Sequence, residues 1–214
     1  LEEALIKEIV KRVMDRVDYN MTIPIEASAR HVHLSQNHME KLFGKEYKMS
    51  KKKDLSQPGQ FQYKERVTLI GPKGVIKGVA ILGPAREKTQ VEISKTDARI
   101  LGIDPPIRES GKLKDSDSLF IMAGKVVIEA KESVIIAKRH IHMTPRDAEK
   151  FAITDKQLVK IRVKSERPIV FEDVLVRVSS RYKLSMHIDF DEANAADYKE
   201  GIFGEIILQS ISMD

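Results

Sequence analysis

Two stretches decide how this sequence is read: "ARHVHLS" at residues 29–35 and "KRHIHMT" at residues 138–144. In each, an arginine precedes two histidines that sit one residue apart, and a hydroxyl residue closes the phrase. The chain has only six histidines, and these two stretches hold four of them. Along a β-strand, residues i and i+2 face the same way. Each phrase therefore sets two imidazoles side by side on one face of a strand.

The register shift that carries His31 onto His140 also carries His33 onto His142, Arg30 onto Arg139, Ser35 onto Thr144, Glu40 onto Glu149 and Lys41 onto Lys150. A second block repeats with a shorter spacing. "REKTQVEIS" from Arg86 matches "RYKLSMHID" from Arg181, which pairs Glu92 with His187 and Ile93 with Ile188. Self-similarity of this kind marks a duplicated unit. The expected organisation is an N-terminal helix over 1–19, a first half over 20–112 and a second half over 113–214.

Local patterns give the fold class. "LEEALIKEIVKRVMDRV" (1–17) places Leu5, Ile6, Ile9, Val10, Val13 and Val17 along one helical face. Beyond it, strand signals dominate. Hairpins are expected over 67–82, around Gly-Pro-Lys-Gly, and over 119–130, around Ala-Gly. Further strands are expected at 134–137, 158–164 and 174–180. A short helix follows each histidine phrase, the first capped by Ser35 and ending near Gly44, the second opening with Thr144, Pro145 and Asp147. The lysine-rich stretch 48–60 reads as a loop. The prediction is a mainly β protein: two related small β-barrel domains, each capped by short helices, plus an N-terminal amphipathic helix.

Composition narrows the function. The 214 residues are 42% hydrophobic and 32% charged, as in globular proteins. No apolar run approaches the roughly 20 residues of a membrane helix, and no signal-peptide pattern opens the sequence. Cysteine is absent, which excludes disulfides and thiolate metal sites and fits the bacterial cytoplasm. Any metal must be held by His, Asp or Glu. The net charge of +5 favours polyanionic partners.

Two histidines on one strand face plus a third ligand from a neighbouring strand make a three-ligand site with an open position, the pattern of catalytic zinc. The repeat supplies two such sets: His31, His33 and Glu92; His140, His142 and His187. Imidazole with carboxylate suits Zn²⁺ best, with Co²⁺, Ni²⁺ and Fe²⁺ as alternatives. The all-histidine set lacks a negative ligand, so an ion there keeps more positive charge and attracts an anion more strongly. Arg86 shares a strand face with Glu92 by period two, and its planar guanidinium suits a phosphate oxyanion. "RESG" (108–111) adds Ser110 and a glycine backbone as a further phosphate contact.

"ARHVHLS", "LGPAREKTQVEIS", "KRHIHMT" and "SMHIDFDEANAA" together resemble the PduL-type phosphotransacylases, the phosphate propanoyltransferases of bacterial microcompartments. The resemblance spans nearly the whole chain. It implies two β-barrel domains with a dinuclear zinc site, two Zn²⁺ per chain on His31, His33, Glu92, His140, His142 and His187. It implies that Arg86 is the essential phosphate-binding arginine, that Ser28, Lys53, Leu82 and Asn194 meet coenzyme A, and that Ser110 lies near phosphate. The implied reaction interconverts propanoyl-CoA plus phosphate with propanoyl phosphate plus CoA. The implied partners are acyl-CoA and phosphate, with shell or lumen proteins of a microcompartment and a second copy of the chain as further candidates; no nucleic acid and no membrane are expected.

Two other readings stand beside this one. A dinuclear metal-dependent hydrolase also uses paired histidines, but the usual (β/α)₈ scaffold needs about 250 residues and alternating long helices. A non-catalytic basic barrel that binds nucleic acid would want clustered aromatics for base stacking; aromatics are 6% of the chain and scattered.

Overall fold

The computed structural model describes residues 5, 6, 8 and 21–207. The helix expected over 1–19 lies almost wholly outside them. The described chain opens with β1 (Thr22–Ser28), β2 (His31–Ser35), α1 (Gln36–Phe43) and β3 (Lys51–Asp54). It continues through β4 (Phe61–Ile70), β5 (Val75–Arg86), β6 (Gln90–Glu92), α2 (Lys95–Leu101) and β7 (Ile107–Arg108). A long hairpin follows, β8 (Asp117–Ala123) and β9 (Val126–Ala137). The second copy comprises β10 (His140–Met143), α3 (Pro145–Lys150), β11 (Leu158–Val163), β12 (Ile169–Val178), β13 (Ser185–Asp189), α4 (Phe190–Ala195) and β14 (Phe203–Ile207).

The strands close into two rings. In the first, β9, β6, β2, β5, β4 and β8 pair in turn, and β8 pairs β9 to close it; β3 and β7 are appended at its margins. In the second, β1, β13, β10, β12, β11 and β14 pair in turn, and β14 pairs β1. The two rings match strand for strand, so the sequence repeat is also a structural one.

The match shows how the copies share strands. β1 precedes the first histidine strand in sequence, yet it pairs with β13 and β14 of the second barrel. Its counterpart β9 precedes the second histidine strand and pairs with β6 and β8 of the first. Each copy thus lends its opening strand to the other barrel and crosses over just before its histidines, at Ala29–Arg30 and at Lys138–Arg139. Ile23 and Ile25 of β1 are 0% and 3% exposed within the second core. Burying each stabilises the exchanged strand by about 1.5–3 kcal/mol. Gly204 on β14 makes room for this packing: a Cβ there would stand 2.5 Å from Ile161 and 3.2 Å from the Ile25 side chain. Strand membership therefore follows neither 20–112 nor 113–214. The copies join at the β8–β9 turn, where Gly124 takes a positive φ of 57° that favours glycine.

Alternation explains the histidine phrases. In β2, Val32 and Leu34 are buried in the first core; in β10, Ile141 and Met143 are buried in the second. The intervening histidines face the other way, out of the barrel. The helices start where expected. Ser35 caps α1 by accepting from the His38 amide, and Ser94, Thr144 and Asp189 form capping boxes with Asp97, Asp147 and Glu192. These caps satisfy amides that a helix start leaves unpaired.

Local expectations differ from the structure in two places. Residues 134–137 are the end of β9 rather than a separate strand. Within the expected loop 48–60, Lys51–Asp54 forms β3, an edge strand that among the described residues pairs with β4 alone and is exposed at all four positions. A lysine-rich edge strand carries no alternation because neither face is buried.

Candidate active site

Pairing register builds the two ligand sets. His31 stands opposite Glu92 across β2–β6, and His140 stands opposite His187 across β10–β13. Ligand atoms of His31, His33 and Glu92 all lie within 4.8 Å of one another, and among the described residues this is the group close enough to hold a metal ion. The second set is a ring cluster, with centroids 4.7 Å apart for His140–His142, 5.3 Å for His140–His187 and 4.9 Å for His142–His187. Both sets line one cleft of about 1050 Å³ with walls from both barrels.

The crossovers orient the first histidine of each pair. His31 Nδ1 lies 2.8 Å from the Ala29 carbonyl, and His140 Nδ1 lies 2.8 Å from the Lys138 carbonyl. Each ring therefore donates from Nδ1 and leaves Nε2 as the free ligand atom. The arginine ahead of each pair is anchored by the helix that follows the third ligand. Arg30 bonds Asp97 at 3.1 Å and Arg139 bonds Glu192 at 2.6 Å; both acids also belong to capping boxes. The repeated arginine thus ties the crossover to α2 in one barrel and to α4 in the other.

Electrostatics favours neutral imidazoles. Burial drives His33 well below the usual imidazole range, with His31 and Arg86 adding to the effect. Burial and the neighbouring rings hold His142 at about 2 and His187 at about 3. Burial and Arg177 lower His140, even against its bond to the Lys138 carbonyl. His31 differs: burial lowers it, but ionised Glu92 and the Ala29 carbonyl outweigh burial and leave it raised. Glu92 is held well below the carboxylate range, because His31, His33 and Arg86 outweigh its burial. A neutral imidazole and an ionised carboxylate are the forms that bind metals. The Nδ1 atoms of His33 and His142, at equivalent positions of the repeat, are both buried without a hydrogen-bond partner. A buried polar atom left unpaired is costly, and a neutral imidazole offers one ring nitrogen as a metal ligand. The donor set fits zinc.

Arg86 lies at the end of β5, opposite Ser35. Its Nη2 lies 2.8 Å from His33 Nε2, and its Nη1 donates to Ser110 Oγ at 3.0 Å. Ser110 Oγ also accepts from Gln90 Nε2 at 2.8 Å and donates to Glu92 Oε1 at 3.0 Å. A hydroxyl has one hydrogen and two lone pairs, so Ser110 is fully engaged. It is brought beside Arg86 as the sequence suggests, but as a clamp between Arg86 and Glu92 rather than a free donor for phosphate. Ser28, Lys53 and Leu82 line the cleft; Asn194 is exposed on α4 and is not among its lining residues.

Sequence reasoning missed three members of the site. Arg177 on β12 stands opposite His142 and lies over the Tyr182 ring, 5.7 Å from its centroid. Tyr182 packs on His142 with centroids 4.2 Å apart. The alternation of "VLVRV" (174–178) puts Arg177 on the cleft face, a signal that a single charged residue in a strand does not announce by itself. The third is Gln57, in the β3–β4 loop. It is 5% exposed and reaches the second barrel, where Nε2 donates to the Lys183 carbonyl at 2.9 Å and to Ser185 Oγ at 2.8 Å. Ser185 Oγ lies 2.9 Å from His187 Nε2. One barrel therefore braces a histidine of the other.

Comparison with known proteins gives the family. Residues 24–199 match the family model of phosphate propanoyltransferase. The phosphate propanoyltransferase of Alkaliphilus metalliredigens is 57% identical over 211 residues, covering 97% of this chain and 100% of its own. The one from Clostridioides difficile is 52% identical over 205 residues, covering 96% of this chain and 98% of its own. The one from Thermotoga maritima is 49% identical over 180 residues, covering 84% and 86%. With both histidine pairs, Glu92, His187 and Arg86 inside the matched span, the chain belongs to the phosphate propanoyltransferase family and is an acyltransferase.

Proposed function

We propose that the chain exchanges coenzyme A for phosphate on a propanoyl group, converting propanoyl-CoA and phosphate reversibly into propanoyl phosphate and CoA. The observation that carries the reading is the setting of Arg86, whose guanidinium is anchored by Ser110 on one side and meets the histidine cluster on the other. A planar fork fixed in this way matches the oxygens of phosphate. Arg86 holds phosphate beside the thioester, and proximity of this kind removes several kcal/mol from the barrier. A phosphate oxygen attacks the carbonyl carbon, the carbon–sulfur bond breaks, and the CoA sulfur leaves with the electron pair and takes up a proton. No cysteine exists to form an acyl-enzyme.

Two zinc ions per chain belong to this reading, one on His31, His33 and Glu92 and one on His140, His142 and His187. When bound, zinc supplies a Lewis acid that polarises the thioester carbonyl and takes up charge developing on its oxygen. The chain's own residues do the rest. Ser110 and Gln90 fix Arg86 relative to Glu92, Gln57 and Ser185 fix His187, and Arg177 adds positive charge on the second wall. Ser28, Lys53 and Leu82 form the CoA wall. Shell or lumen partners in a microcompartment and self-association follow from the family likeness alone.

The test is incubation of the purified protein with propanoyl-CoA, with and without phosphate, while free thiol is followed. Thiol release that requires phosphate is the expected result. Release without phosphate would make the protein a hydrolase, and no release would make it a binder.

A further inference from the structure

A second cleft, of about 300 Å³, reaches the same side chains from another direction. It shares His33, Gln57, Gln60, Arg86 and Tyr182 with the large cleft and adds walls of its own from Pro58, Gly59, Gly83, Pro84 and Arg181. We propose that this cleft is a separate entrance for phosphate and exit for the acyl phosphate, with Arg181 at its rim as the steering residue. The inference rests on the phosphate-transfer reading above and adds a route to it.

Size and charge both point this way. The second cleft, at about 300 Å³ against about 1050 Å³ for the first, suits an ion of phosphate size and not the whole of CoA. Its lining carries two arginines, Arg86 and Arg181, and no carboxylate. The large cleft is mixed, with five carboxylates against five Lys and Arg side chains. A small dianion meets opposing charges along the large cleft and only attraction along the small one. Clefts lined by one sign of charge raise the local concentration of the opposite ion and speed its arrival by 10-fold or more, on the order of magnitude known for steered association. Arg181 is exposed, and its guanidinium has no ion-pair partner among the described residues, so its charge is available to solvent. The walls from Pro58 to Gly59, from Gly83 to Pro84 and from Arg181 are not among the lining of the large cleft.

The experiment is steady-state kinetics of phosphate-dependent thiol release. Arg181→Glu is expected to lower kcat/KM for phosphate, measured at saturating propanoyl-CoA, by about tenfold. The value for propanoyl-CoA at saturating phosphate should change by less than about twofold, since Arg181 is not on the CoA path. Arg181→Lys should keep most of the phosphate value, because steering needs charge and not a fork, and the wild-type advantage should shrink as salt is added. Pro58→Trp, which narrows the rim without touching charge, should reproduce the phosphate-selective loss. Equal losses for both substrates, or no loss in either variant, would overturn the second entrance. Wild-type protein that releases no thiol in response to phosphate would instead overturn the transferase reading itself.

Discussion

The two barrels present the same strands to the cleft, but what stands on those strands differs. Register-equivalent positions hold Glu92 in one and His187 in the other, Gln90 and Ser185, Leu82 and Arg177. The first barrel makes a charge-balanced set: Glu92 is ionised, His31 is raised to meet it, and Arg86 joins through Ser110. The second has no carboxylate among its ligands. Its rings depress one another and Arg177 depresses them further. The geometry occurs twice, and the side chains at three paired positions set the difference: one wall balances Glu92 against His31 and Arg86, the other sets neutral rings beside Arg177.

The largest effect that could break this comparison comes from cutting the chain. Because each barrel needs a strand from the other copy, fragments 1–124 and 125–214 should each fail to release thiol on their own, and mixing them should restore phosphate-dependent release. Activity from either fragment alone would mean that its barrel closes without the exchanged strand.

Next in size is Arg86→Ala. Losing a preorganised donor of this type costs about 10²–10³ in rate, roughly 3–4 kcal/mol. Turnover should fall by that much with metal content and melting temperature nearly unchanged. Arg86→Lys should recover little, because an ammonium lacks the planar fork. Near-normal turnover of Arg86→Ala at saturating phosphate would remove Arg86 from the role assigned here.

The smallest effect concerns the contact between the copies at Glu109. Hydrogen bonds from Lys112 and Lys156 hold its carboxyl at about 2, and Lys156 belongs to the other copy. A carboxylate with a depressed folded pKa stabilises above its unfolded value of 4.5, and that contribution fades as pH falls toward 2. Both lysines are largely exposed, so Lys156→Met should cost no more than about 1 kcal/mol at neutral pH. Denaturant midpoints for the two proteins should converge in acid. A gap that persists unchanged at low pH would assign the loss to packing instead.

The sequence made the clustering of these six side chains readable because the histidines alternate with core residues that must be apolar, and because the repeat shift pointed to Glu92 and His187. It hid the strand exchange, since the pairing of residues 22–28 with 185–207 leaves no local mark; Ile23 and Ile25 look the same whichever barrel they fill. The repeat offsets place the two copies but not their junction, which falls in the β8–β9 hairpin. Arg177 and Gln57 were hidden because a lone arginine in a strand and a glutamine in a polar loop read as solvated residues until their partners are known. Ser110 was found for the right neighbourhood, but only its three hydrogen bonds reveal that its hydroxyl is spent on Arg86, Gln90 and Glu92.

The most direct test of the two proposed ligand sets is a metal count. Protein purified without chelator should carry two zinc ions per chain by elemental analysis, as the two triples require. His140→Ala should lose one of them and keep the ion on His31, His33 and Glu92. A count near zero that added zinc cannot restore, or a His140→Ala protein that still holds both ions, would contradict the account.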